Sequence, residues 1–353
     1  MAVAGTAVVA IVAGLAITGR GEKNQVKVTS DQRNAVRSGI SLAPYATGSV
    51  SARRLGGSSY AFNGPSAILA VGNTAWVANV LGDSVTQLSG TSRTSARYLS
   101  GHDDAFNGPN ALAIGSGRVW VANVQANSVT ELSQSDGAVV RVLSSGYGFS
   151  SPAALALTGG RLWVANAGAG SVTEVDASTG AWMKTFGGKR YHFDNPNALA
   201  VGRGSLWVAN SGGDSVTEID ATTGAWRATL AAGYGFDRPV ALAVSGGSLW
   251  VVSESGGTIT QLSLSSGKLI RVVRGQQYGF DSPAAITAAG GALWIANSRG
   301  DSVTEISASS GRLIRILSGK HLHLREPAGI TASGPVLWVS NRAGNSVTRL
   351  HLH

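Results

Sequence analysis

Short apolar runs and glycine-rich polar breaks alternate along most of the chain, and the alternation repeats. The stretch "LWVANSGGDSVTEIDATTGAW" (206–226) has close copies: "VWVANVQANSVTEL" (119–132), "LWVANAGAGSVTEVDASTGAW" (162–182) and "LWIANSRGDSVTEI" (293–306). Aligning Trp76, Trp120, Trp163, Trp207, Trp250, Trp294 and Trp338 fixes the period at 43 or 44 residues, and a proline stands eleven residues before each: Pro65, Pro109, Pro152, Pro196, Pro239, Pro283 and Pro327. A period of about 40–45 residues with strand-forming runs and Gly-rich turns predicts a β-propeller, one four-stranded sheet per repeat.

Within a unit the pattern predicts four strands. An apolar run after the proline ("NALAI", 110–114) forms the innermost strand, followed by the Trp strand, by "SVTEL", and by an outer strand such as "AVVRVL" (138–143). Val, Ile, Thr and Trp suit strands. Strict in/out alternation is missing because each sheet has a neighbour on both faces. Gly137, Gly180, Gly224, Gly267 and Gly311 fall in the turn before the outer strand, where a positive φ is expected. Proline at the start of the innermost strand sits where a missing N–H costs least.

The seventh unit ends at His353 without an outer strand, while "GSVSARRLGGSSYAFNGP" (48–65) matches the tail of a unit, "RLIRILSGKHLHLREP" (312–327). Residues about 49–56 are therefore expected to supply the missing outer strand. Such a clasp removes an open edge and stabilises a ring whose blades cannot bury their faces alone. The expectation is an all-β, seven-bladed propeller over 48–353, with a basic polar linker at 20–47 and a hydrophobic segment at 1–19.

That segment, "AVAGTAVVAIVAGLAITG" (2–19), runs eighteen residues without a charge. As a helix it would measure about 27 Å, close to the hydrocarbon thickness of a bilayer. It reads as a membrane anchor or an export signal, which would place the propeller outside the cytoplasm or tether it to a membrane.

Composition narrows the function classes. Cysteine is absent, so there is no disulfide, thiolate metal site or cysteine nucleophile. The net charge of +9 is concentrated near the start: residues 20–54 hold seven basic and two acidic groups, leaving a small excess over the rest. Scattered arginines without interleaved aromatics do not form a nucleic-acid footprint, and no nucleic-acid partner is expected. Calcium-loop, P-loop, dinucleotide and nucleophile-elbow motifs are missing, and no cofactor or metal is expected.

The string W-V-A-N, then S-V-T-E with isoleucine or leucine and aspartate, then T-G, resembles the repeats of YVTN and NHL-type propellers, including surface-layer proteins, across 48–353. The resemblance implies the propeller fold; functions in these families range over ligand sensing, adhesion, surface coats and a few enzymes. A related-looking group, the virginiamycin B lyases, implies a metal-dependent alternative. A lyase of that kind wants a His–Glu–metal cluster at the channel mouth, for which Glu254 and His323 are the catalytic candidates, with His192 and Glu326 nearest in kind.

Residues that recur are best explained by recurring structure. Asn79, Asn123, Asn166, Asn210, Asn297 and Asn341 end the Trp strand, where their amides are expected to bond loop backbone. Phe62, Phe106, Phe149, Phe193, Phe236 and Phe280 are expected to wedge between blades. Specificity should lie where repetition fails, on the face where loops converge. Blade five carries Ser253 and Glu254 with Arg238 in the loop before it; the loop before blade four holds Lys189, Arg190 and His192; blade seven has His321, His323, Arg325 and Glu326. Tyr60, Tyr147, Tyr191, Tyr234 and Tyr278 recur on the same face. His192, Arg238, Ser253, Glu254, His321, His323, Arg325 and Glu326 are thus ligand-binding candidates for a small polar or carbohydrate ligand. Trp182 and Trp226, outside the repeat, are candidates for a protein partner's surface. The resulting reading is a non-catalytic binding or interaction module at the cell envelope, against a metal-dependent lyase or hydrolase and a self-associating surface-layer component.

Overall fold

The computed structural model describes residues 11–12, 50–90, 95–100 and 106–352. Seven sheets form an all-β propeller. Blade four shows the pattern: Pro196–Gly202 innermost, then Ser205–Asn210, Ser215–Asp220 and Trp226–Leu230, each antiparallel to the one before. All seven prolines open an innermost strand, and all seven repeat tryptophans are buried at 1% exposure or less. Each tryptophan lies opposite the fourth residue of the S-V-T-x run, as Trp120 opposite Glu131 and Trp207 opposite Glu218. The turn glycines adopt the expected backbone, with φ of 70° at Gly137, 76° at Gly180 and 69° at Gly224.

The seventh sheet joins both ends of the described chain. Val50–Gly56 pairs antiparallel with Ser346–Leu352, in register from Val50 opposite Leu352 to Gly56 opposite Ser346. Leu55 is 1% exposed and packs with Trp338 and Val347. This outer strand precedes blade one in sequence yet completes blade seven in space.

The hydrophobic stretch 2–19 lies outside the described residues except for Ile11 and Val12. These form a two-residue strand rather than a helical turn, antiparallel to Ala111 and Leu112 of blade two's innermost strand. Their Cα atoms come within 8 Å of the innermost strand of every blade, which puts them in the central channel. Among the described residues no helix is long and apolar enough to cross a membrane.

Five ties link the loops of successive blades. A residue in the loop after the Trp strand takes a left-handed conformation and its side chain accepts the backbone N–H just before the next blade's proline. Asp83 holds Gly108 at 2.7 Å, Asn127 holds Ser151 at 2.7 Å, Asp214 holds Arg238 at 2.7 Å, Asp301 holds Glu326 at 2.6 Å and Asn345 holds Gly64 at 2.9 Å. At Gly170 and Gly257 the same backbone turn has no side chain to make the tie.

Candidate functional site

The recurring polar residues are accounted for by packing. Asn123 Nδ2 donates to Ser128 Oγ at 3.1 Å and Thr130 Oγ1 at 3.0 Å, and five other blades repeat the arrangement with Asn79, Asn166, Asn210, Asn297 and Asn341. The partners are hydroxyls of the neighbouring strand, not the loop backbone that turn chemistry suggested. The threonine then donates onward to a carbonyl of the preceding loop, as Thr217 does to Tyr191 at 3.0 Å. Where that loop is described, the asparagine thus fastens a loop to a sheet. In blade five Ser253 is buried and makes no such bond, and Thr260 and Thr258 hold the loop through the Tyr234 and Gly235 carbonyls at 3.0 and 3.1 Å.

The tyrosines belong to the same masonry. Tyr60, Tyr147, Tyr191, Tyr234 and Tyr278 each stack on the phenylalanine two residues later, with centroids 5.2–5.7 Å apart. The Tyr147 hydroxyl donates to the Gly180 carbonyl at 2.6 Å, reaching into the blade interface rather than toward an open pocket. The glutamates opposite the tryptophans are equally internal. Burial pushes the carboxyl groups of Glu131, Glu174 and Glu305 up, while arginines beside them pull the other way. Glu131 sits between Arg118 at 2.9 Å and Arg141 at 2.6 Å.

Two sets of irregular residues pair with each other. In blade five Arg238, from the loop leading to the proline, meets Glu254 from the loop after the Trp strand at 3.1 Å. In blade seven the signs are exchanged: Glu326 stands where Arg238 does, Arg342 stands where Glu254 does, and Arg342 Nε donates to Glu326 Oε1 at 2.6 Å. Three of the candidate residues are therefore held in two equivalent ion pairs.

Among the described residues, two open grooves on this face lie between blades rather than at the channel mouth. The larger, about 710 Å³, lies between blades six and seven and is lined by Arg54, Asp301, Lys320, His323 and Arg325, with Ser346 and glycines at 300, 319 and 344. The second, about 650 Å³, lies between blades three and four, among Lys189, His192, Phe193, Asp194 and Ser215. His323 and Arg325 thus share a groove with each other, whereas His192 sits in a different one; Arg238, Ser253, Glu254 and His321 line neither. Trp182 lies half-exposed at the outer rim, its indole donating to Thr185 at 3.1 Å, and Trp226 repeats this with Thr229 at 3.0 Å.

The two grooves share a feature of sequence. Their lead-in loops read "GKRYHFDNP" (188–196) and "GKHLHLREP" (319–327), the only two of seven with lysine seven and histidine four residues before the proline. The histidine position is left-handed wherever described: φ is 69° at Gly148, 72° at Gly235 and 61° at Gly279, against 52° at His192 and 55° at His323. A side chain there costs on the order of 1 kcal/mol relative to glycine. Both imidazoles are exposed, so packing does not offset that cost. The G-K-x-x-H-x-x-x-P spacing was the signal for Lys320; nothing in the order of residues tied Arg54 to this groove.

No three His, Asp or Glu residues gather in a metal-holding cluster among the described residues. The lyase candidates Glu254 and His323 come from different blades and do not share a groove.

The architecture and the loop face define a seven-bladed β-propeller with inter-blade grooves. In structure the chain is similar to a catalytically inactive virginiamycin B lyase from Staphylococcus aureus with quinupristin (TM-score 0.75, 16% identity, covering 86% of this chain and 100% of that one). It is also similar to a streptogramin B lyase (0.73, 17% identity, 88% and 100%) and to the WD40 repeats of RRP9 (0.68, 13%, 86% and 98%). No family model matches the chain, and neither does any curated protein sequence. At these identities the likeness shows the fold alone.

Proposed function

We propose that the chain is a non-catalytic binding or interaction propeller working at the cell envelope, a YVTN/NHL-like scaffold that offers its loop face to a protein or a small polar ligand. The observation that carries this reading is the placement of the irregular residues. The candidate acids Glu254 and Glu326 are occupied by Arg238 and Arg342, while exposed cations face open grooves. The envelope assignment is supported by the uncharged stretch 2–19.

A metal-dependent lyase is the second reading, favoured by the fold shared with the streptogramin lyases. One experiment separates the two: purified protein is assayed for divalent metal and for breakdown of quinupristin. The binding reading expects intact quinupristin. Metal-dependent breakdown, lost in Glu254→Ala or His323→Ala, would overturn it. Self-association into a surface coat predicts ordered assemblies by light scattering and electron microscopy, where the binding reading expects discrete particles. Cell fractionation checks the location: recovery in a wholly cytoplasmic pool sinks the envelope assignment.

A further inference from the structure

We propose that the groove between blades six and seven binds the phosphate or sulfate ester group of a small polar molecule. This rests on the reading of the chain as a binding module and names the chemistry of one of its sites.

Three observations converge on an oxyanion. The groove is lined by three permanent cations, Arg54, Lys320 and Arg325, and by one carboxylate, Asp301. Asp301 is committed by its Oδ1 to the Glu326 N–H at 2.6 Å, and Glu326 itself is covered by Arg342. The nearby acids are therefore occupied, whereas Lys320, His323 and Arg325 are exposed and make no described side-chain hydrogen bond or ion pair. Arg54 uses one donor on the Gly344 carbonyl at 3.2 Å and has further donors to give. Three cations beside a single carboxylate leave the groove net positive, and a bound dianion offsets that charge while accepting charge-assisted hydrogen bonds.

The second observation is the left-handed His323, which like Ala61 and His192 keeps a side chain in a conformation that glycine takes in three other lead-in loops, and which is exposed. Strain of this kind accumulates at ligand sites. The third is size. At about 710 Å³ the groove falls within the range of small-molecule sites and exceeds what a bare phosphate fills, so the oxyanion is carried on a larger polar body. The groove also depends on ring closure: Arg54 comes from the strand that closes the ring and the remaining lining residues from blades six and seven, so only the closed propeller has the complete site.

The test uses the full chain and calorimetric titration with a hexose phosphate, the matching hexose sulfate and the neutral hexose. The phosphate and sulfate arms distinguish which ester is preferred; either one binding more tightly than the neutral sugar supports the proposal. Arg325→Ala and Lys320→Ala should each weaken the preferred ester about tenfold, the scale of one charge-assisted hydrogen bond, with melting unchanged because both side chains are exposed. Higher salt should weaken binding further. Equal affinity for all three sugars, no binding of any, or affinities unmoved in both variants would overturn the oxyanion assignment while leaving the module free to bind something else. Release of inorganic phosphate during the titration, with affinity still dependent on Arg325, would keep the site and overturn the non-catalytic reading instead.

Discussion

The groove before blade four and the groove before blade seven begin from the same lead-in spacing, a lysine and a left-handed histidine, and finish with different electrostatics. Before blade four, Asp194 and Lys189 both line the groove, with Phe193 and small residues in its walls. Before blade seven, Arg325 replaces the aspartate, and the closing strand adds Arg54. The second difference is mechanical. Asp301 ties the blade seven loop to blade six, whereas Gly170 leaves the blade four loop without that tie, and a β-carbon at Gly170 would approach the Phe193 carbonyl to 2.8 Å. One repeated scaffold thus yields a cationic groove whose loop is tied to the preceding blade and a nearly neutral one whose loop lacks that tie. In a repeat protein, chemistry is set by the few positions that escape repetition, and most of those are loop positions.

The largest expected effect comes from removing the closing strand. Deleting residues 46–57 strips Ser346–Leu352 of its partner strand and removes Leu55 from the core; the melting temperature should fall by 10 °C or more on the order-of-magnitude scaling of stability loss with domain size. Oxyanion binding before blade seven should vanish with it. An unchanged melting temperature would show that the strand does not stabilise the ring. The smaller lesion Leu55→Ala should cost about 2–5 kcal/mol in denaturant unfolding.

Next in size is the tie between blades six and seven. Asp301→Ala removes the acceptor of the exposed Glu326 N–H and should cost about 0.5–1.5 kcal/mol, measured by chemical denaturation. Hydrogen exchange should then speed up in residues 319–327 until it matches 188–196. If the two loops already exchange equally in the parent chain, the mechanical half of the comparison is wrong.

Exchanging charge sharpens the electrostatic half. Asp194→Arg gives the blade four groove the cation that blade seven has, and should raise its affinity for the same ester several-fold without altering stability by more than about 0.5 kcal/mol, as for other exposed positions. Calorimetric titration against the Arg325→Ala background checks this; no gain would mean that Arg54 or the tied loop is indispensable.

The smallest effects belong to the paired charges. Breaking Arg238–Glu254 with Glu254→Gln should cost about 1 kcal/mol or less, since both side chains are partly exposed at 36% and 23%. Acid response lies in the turns: the backbone N–H of Thr223 and its neighbours hold the Asp220 carboxyl down to about 2. With the folded value depressed, Asp220 contributes stability above pH about 4 that is lost as the pH falls toward 2. Asp220→Asn should flatten that part of the acid melting curve.

The sequence by itself determined the blade number, the strand order and the buried tryptophans, because a 43- or 44-residue period of apolar runs has one economical way to bury both faces of every sheet. It also marked the loops of blades five and seven as irregular, since a departure from seven-fold repetition is visible without coordinates. Only the tertiary structure decided what those departures do. It joined Arg238 to Glu254 and Glu326 to Arg342, turned the tyrosines inward onto phenylalanines, sent His192 and His323 to separate grooves, and brought Arg54 across some 290 residues of chain to Gly344. These outcomes depend on which loops the ring places side by side, and closing a ring makes neighbours of residues that no local pattern connects.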